Sequence, residues 1–348
     1  MTTRPHTGAP TPRPAPQAAD RAAAFLIRSR RPDGWWRDFD VNGPSSSWLT
    51  AYVGAALAGC GAPGAREAAE DAWARLAADR ARRGWGYGPT APPDADTTAW
   101  VLRLAEAVGA ADEPAAEDGY AFLAAHIRPD GGVATYARAS AGEFFDRHPV
   151  PGGWDGWYAG HTCVTAAAAG LRGLARREEV RGCLRERQRP DGSWQSYWWT
   201  EHEYATALAA WALGAAAAES AAARAWAAAR CGPDGAVRTE AAPDGSAFAT
   251  ALAALTLDGG AEPLADGGEP SPPVRWLLRT QSPSGGWPGS ARVRLPPPAL
   301  TDPDAPYAWR TEGRGAQVVG TVRTDTAGLF TTATALLALG GAGRGRPS

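Results

Sequence analysis

Two aspartates stand two residues apart in PPDADTTAW, Pro92 to Trp100, directly ahead of an apolar run that reads as a helix. Two chemistries fit. Asp94 and Asp96 can form an acidic helix start, in which an Asp side chain caps the first turn and the helix dipole favours the charged carboxylate. Alternatively, burial and a neighbouring carboxylate can lift one carboxyl pKa and keep it protonated as a general acid. A second Asp-Thr start, Asp325 in RTDTAGLF, carries nearly the same letters. The pattern alone therefore decides little.

His161 and Cys163, in HTC, are the one close His/Cys pair. Cys60, Cys183 and Cys231 lie far apart with no CxxC, which suits a reduced cytoplasmic protein and offers a zinc site no evident third ligand. Sixteen Trp stand against one Met, and every basic residue is Arg. A net charge of −2 argues against a nucleic-acid surface. No apolar run reaches the length of a membrane span. The Pro-rich residues 1–17 read as a disordered arm without a signal-peptide core, and residues 342–348 as a frayed tail.

The elements that must position these residues repeat. Six Gly-rich turns recur: RRPDGWW, RRGWGYG, RPDGGVATY, QRPDGSW, CGPDGAV and QSPSGGW. Each leads to a helix rich in Ala, Thr and Gly that is apolar on nearly every face, as in SSWLTAYVGAALAG and EYATALAAWALGA. Such helices are buried all round, whereas the preceding ones carry charge. Six inner helices within six outer ones give an all-α fold, a single α6/α6 barrel over residues 18–341, with an open solenoid as the other arrangement. Two insertions, Ala139–Gly160 and Pro288–Arg323, interrupt the spacing and fall at the same end as Asp94 and Asp96.

QRPDGSW and QSPSGGW resemble the Q-x-x-(D/S)-G-x-W repeat of the squalene–hopene cyclase and class II terpene cyclase superfamily. GWGYGPTAPPDADTTAWVLRL is similar to that superfamily's acid segment, and GGWDGWYAGHTCVTAAAAGL to its Trp-Tyr-Gly-rich turn. The resemblance implies a protonation-initiated cyclase with Asp96 as the acid and Asp94 as its partner. Thr97 stands where the family's third Asp would be, a DxDTT variant found in bacterial cyclases of prenyl diphosphates. It also implies a histidine bonded to the acid pair, for which His161 is preferred over His148. Members usually have two barrels, whereas this chain has length for one. The insertions or a homodimer partner would then close the cavity.

Such a pocket must tolerate carbocations, which aromatic faces stabilise through their quadrupole. Aromatic residues near inner-helix starts are Trp48, Trp100, Trp157, Tyr158, Trp198, Trp199, Tyr204, Phe248, Tyr307, Trp309 and Phe330, and Asp325 should face the same space. A prenyl diphosphate would draw on Arg82, Arg83, Arg310, Arg314 or Arg323, and would bring Mg²⁺. TDPD, Thr301–Asp304, is the nearest approach to a carboxylate cage, and no DDxxD is present. Two other readings keep the barrel: a non-catalytic toroid that binds an isoprenoid or a protein, and a zinc enzyme of the prenyltransferase or lanthipeptide-cyclase kind.

Overall fold

The computed structural model describes residues 15–41, 43–79, 83–258, 269–305, 309 and 320–340. Helices alternate between an outer and an inner layer. Outer α1 (Ala15–Arg28) leads to inner α2 (Ser46–Ala58), α3 (Ala65–Ala78) to α4 (Ala95–Val108), and α5 (Pro114–Ala124) to α7 (Thr162–Ala169). Between these last two, α6 (Arg138–Asp146) lies in the first insertion. Outer α8 (Arg177–Glu186) leads to inner α9 (Glu203–Leu213), α10 (Ala218–Arg230) to α11 (Ala247–Asp258), and α12 (Pro272–Thr280) to α13 (Leu329–Gly340). A two-stranded antiparallel ribbon, β1 (Arg292–Leu295) with β2 (Thr321–Thr324), pairs Arg292 with Thr324 in the second insertion. Repeat counting did not foresee this ribbon. Nor did it foresee that α1 begins at Ala15, inside the stretch expected to be disordered; the rest of that arm and the tail lie outside the described residues.

The ring closes. Each inner helix packs on the next from α2 through α4, α7, α9, α11 and α13 and back to α2, and α1 packs on α13. An open solenoid is therefore excluded. Gln281 ties the seam: its Nε2 donates to Gly285 O and, across 263 residues of sequence, to Ala18 O. Gln188 joins its own turn to α10 in the same way. The turns use the expected chemistry. Asp33, Asp130, Asp191 and Asp234 each accept a backbone N–H two residues on, and the following glycines have positive φ. At Gly235 a Cβ would also meet Pro272 O at 2.1 Å, so no other residue fits.

A threonine clip sets the rotation of every inner helix. The turn amide of Trp36, Trp85, Val133, Trp194, Val237 or Trp287 donates to the hydroxyl of Thr50, Thr98, Thr165, Thr206, Thr250 or Thr332 at 2.9–3.1 Å. The indole N–H groups of Trp36, Trp85, Trp194 and Trp287 bond the last carbonyls of the outer helices before them. These four tryptophans are thus structural.

Candidate active site

Counting two residues back from each clip threonine gives Trp48, Asp96, Cys163, Tyr204, Phe248 and Phe330. Side chains at one register of six ring-forming helices point at one level of the axis, and the contacts bear this out. Phe330 stacks on Trp48 at 4.8 Å and lies 5.7 Å from Phe248, which is 6.4 Å from Tyr204. One turn deeper, Tyr52 stacks on Phe330 at 3.8 Å and lies 4.3 Å from Trp100, whose indole donates to Tyr204 Oη at 2.8 Å. Trp199 covers the ring from the mouth, 4.6 Å from Tyr204 and 5.0 Å from both phenylalanines. Asp96 is the one carboxyl at this level.

Asp94 caps α4. Its two oxygens accept Thr97 N at 2.7 Å and Thr97 Oγ1 at 2.8 Å. Burial lifts its pKa to about 7 against those bonds. Asp96 is pushed up to about 8, first by burial and then by the Asp94 carboxyl. Asp96 Oδ1 is buried without a hydrogen-bond partner. In the coupled pair the proton therefore rests on Asp96, because formed hydrogen bonds from Thr97 already hold both Asp94 oxygens while Asp96 Oδ1 has none. Asp96 itself keeps some accessible surface, unlike Asp94, which is buried. The side chain is a protonated carboxyl at the level of the aromatic ring.

His161 does not bond the carboxyls, contrary to expectation. Its Nε2 donates to Gly156 O at 2.8 Å, which makes Nδ1 the acceptor for the Thr135 hydroxyl at 2.6 Å. Thr135 in turn accepts the Trp198 indole N–H, and its carbonyl accepts Ala95 N at the start of α4. Burial depresses the His161 pKa to about 3, so the ring is neutral. His161 is a buried spacer between α4 and the mouth. His148 is exposed and bonded to Phe144 O.

Asp325 does not face the chamber either. Its Oδ1 accepts Ala291 N and its Oδ2 accepts Thr331 N, while Phe330 takes the ring position. Trp157 and Trp198 meet at 5.3 Å above His161, and the Trp157 indole bonds Pro296 O, joining the two insertions. Tyr158 turns into the first insertion's own core, under the Arg138 guanidinium. Trp309 packs on Arg294, a buried cation that donates to Tyr197 O, Ser196 O and Pro303 O. Tyr307, Arg82, Arg310 and Arg314 lie outside the described residues. Arg83 is exposed on the outer flank, and Arg323 belongs to the ribbon. Asp302 and Asp304 form no cage, since Gln195, Arg189, His202 and Arg294 engage them. Among the described residues no three His, Cys, Asp or Glu side chains group to hold a metal, and His161 with Cys163 gains no third ligand.

Composition and motif matching missed Tyr52, the Tyr52–Trp100 floor and the place of Cys163 in the ring. Clip-threonine register, visible in the letters, would have found all three.

A closed α6/α6 toroid with a protonated Asp of a DxDTT segment among aromatic rings defines the chemistry of carbocation cyclases. The chain matches no family model and no curated protein sequence. Solved structures do match. MstE, a type II terpene cyclase from Scytonema in complex with its substrate geranylgeranyl dihydroxybenzoate, is 36% identical, with a TM-score of 0.83 over 94% of this chain and 97% of that one. A protein from Actinoplanes is 45% identical, with a TM-score of 0.85 over 93% and 98%. The ent-copalyl diphosphate synthase of Streptomyces platensis is 23% identical, with a TM-score of 0.54 over 85% of this chain and 51% of that one, and shares the fold. This chain belongs to the class II terpene cyclase superfamily, and it is an enzyme of that kind. MstE is matched nearly end to end, over 97% of that chain, so a type II cyclase of about this length is known. The same finding sets aside the non-catalytic toroid and the zinc enzyme.

Proposed function

We propose that this enzyme cyclises a linear isoprenoid by protonating its distal alkene from Asp96. The observation that carries the reading is a protonated carboxyl at the one acidic position of an otherwise largely aromatic ring, with one oxygen left without a hydrogen bond. The Asp96 proton adds to the less substituted alkene carbon and leaves a tertiary cation. The next double bond attacks that cation, and ring closure repeats. Loss of a proton ends the sequence, so the conversion is a net isomerisation. Aromatic faces of Trp48, Trp199, Phe248 and Phe330 stabilise the travelling charge, and the packed chamber excludes water that would quench it.

The likeness to MstE favours a geranylgeranyl chain on a hydroxybenzoate head. A prenyl diphosphate is the second reading, favoured by the DxDTT letters, and would bring Mg²⁺ as its own counter-ion. Trp157 of the first insertion bonds Pro296 O of the second, which supports closure of the mouth within one chain. The test incubates the protein with geranylgeranyl dihydroxybenzoate and with geranyl, farnesyl and geranylgeranyl diphosphates and squalene, with and without Mg²⁺. Cyclic products absent from Asp96→Asn support the reading; cyclisation that survives the substitution overturns it.

A further inference from the structure

Two buried polar atoms without partners stand side by side in the ring: Asp96 Oδ1 on α4 and Trp48 Nε1 on α2. One can only donate and the other accepts. Buried orphans are uncommon because each has given up its bond to water. A donor and an acceptor left over together at one site mark a contact poised to form. Catalytic hydrogen bonds are often long in empty sites and tighten in the working complex.

We infer that Trp48 is the positioning residue of the acid, donating its indole N–H to Asp96 Oδ1 so that the proton is held on Oδ2 toward the substrate. This rests on the reading of Asp96 as the proton donor. The indole is firmly held: Phe330 stacks on one face at 4.8 Å, and Phe39, Tyr87 and Trp199 lie at 5.6, 5.7 and 5.9 Å. A rigid donor costs no reorganisation at the moment of reaction. Once the proton leaves, Oδ1 shares the negative charge and the N–H bond strengthens, which favours the transition state over the ground state. His161, the residue expected in this role, has both nitrogens engaged elsewhere.

The remaining groups around Asp96 do not substitute for the indole. Asp94 faces it from the start of α4 and opposes its ionisation, and Arg103, two turns along α4, favours it. Tyr52 on α2, Cys163 on α7, Tyr204 on α9 and Tyr136 from the preceding turn are all kept neutral by burial. Of these groups Trp48 alone reaches the Asp96 carboxyl as a hydrogen-bond donor.

Trp48→Phe keeps a stacking ring and deletes the N–H. We expect kcat to fall about 30-fold with KM within about twofold. The basic limb of the pH profile should move up by about one unit, because a donor to the charged form is gone. In infrared difference spectra the protonated Asp96 carbonyl band, identified by its absence in Asp96→Asn, should shift to higher frequency. A looser fold would instead admit water and move the limb down. Should Trp48→Phe fold poorly, a benzothienylalanine at position 48 preserves the shape without an N–H and should show the same losses. Unchanged kcat, limb and carbonyl band beside an inactive Asp96→Asn would overturn the role of Trp48 alone. An active Asp96→Asn would remove the acid reading on which it rests.

Discussion

Asp96 and Asp325 each precede a threonine at the start of an inner helix, in Asp-Thr-Thr-Ala and Asp-Thr-Ala-Gly, and burial lifts both carboxyls to about 8. They differ in register and in hydrogen bonding. Asp96 lies two residues before its clip threonine and projects at ring level with an unpaired oxygen. Asp325 lies seven residues before Thr332, and backbone N–H groups of Ala291 and Thr331 occupy its two oxygens. That carboxyl fastens the second insertion to α13. A raised pKa marks burial in both places. The unpaired oxygen at ring level is what sets Asp96 apart.

Replacing each by Asn gives the largest contrast. Asp96→Asn should lose about 10³-fold in turnover while remaining folded. Asp325→Asn should stay within about threefold in turnover yet lose about 1–2 kcal/mol of stability, since an amide nitrogen cannot accept an N–H. Product assays and denaturant melts on both variants separate the two roles. Equal loss of activity from two well-folded proteins would erase the distinction.

The pH dependence sharpens the comparison. Asp96 binds its proton more tightly folded than unfolded, so the active protonated form is lost as pH rises through about 8. Turnover should then drop about tenfold per unit. The same linkage makes stability fall between about pH 4, the unfolded carboxyl value, and about pH 8, because the unfolded chain ionises first. Asp96→Asn should flatten part of that stability slope, and Asp325→Asn another part. Only Asp325→Asn should leave the activity limb in place. Melting temperatures and rates from pH 5 to 9 read both.

The barrel was legible because its signals are local and repeated six times: a Gly-rich turn with a positive φ, then a helix too apolar to face water. The place of Asp96 at the start of an inner helix was legible through its letters and neighbours. The remainder depended on register and on long-range pairing. Nothing near His161 in sequence announces that Thr135 and Gly156 will engage its two nitrogens. Tyr158 looked like a chamber residue by position, but the first insertion folds a small core of its own around Phe145 and draws it in. The β1–β2 ribbon joins segments about 25 residues apart, beyond the reach of any repeat pattern.

The ring itself can be tested on its α13 side, where Phe330 stands in place of a carboxyl. Phe330→Leu keeps an apolar wall but removes a π-face that touches Trp48, Tyr52 and Trp199. Turnover should fall about tenfold, with a larger share of partly cyclised or hydroxylated products as cations are quenched early. Gas-chromatographic product ratios check this. An unchanged product profile would place the cation path elsewhere.

The smallest effect expected is the most direct test of register. Thr98 accepts Trp85 N at 3.1 Å and donates to Asp94 O at 2.7 Å, and Thr332 accepts Trp287 N at 3.1 Å. Valine matches threonine in shape at either site but leaves a buried amide unpaired, so Thr98→Val and Thr332→Val should each cost about 1–2 kcal/mol. If the clip only fastens helices, the two variants behave alike in every assay. If it also sets the rotation of the helix that bears the acid, Thr98→Val alone lowers turnover, by about three- to fivefold at equal loss of stability, since small misplacements of a catalytic group are costly. Paired melts and rates at one pH give the answer. A larger activity loss from Thr332→Val than from Thr98→Val would mean that the chamber is governed from α13 rather than from α4.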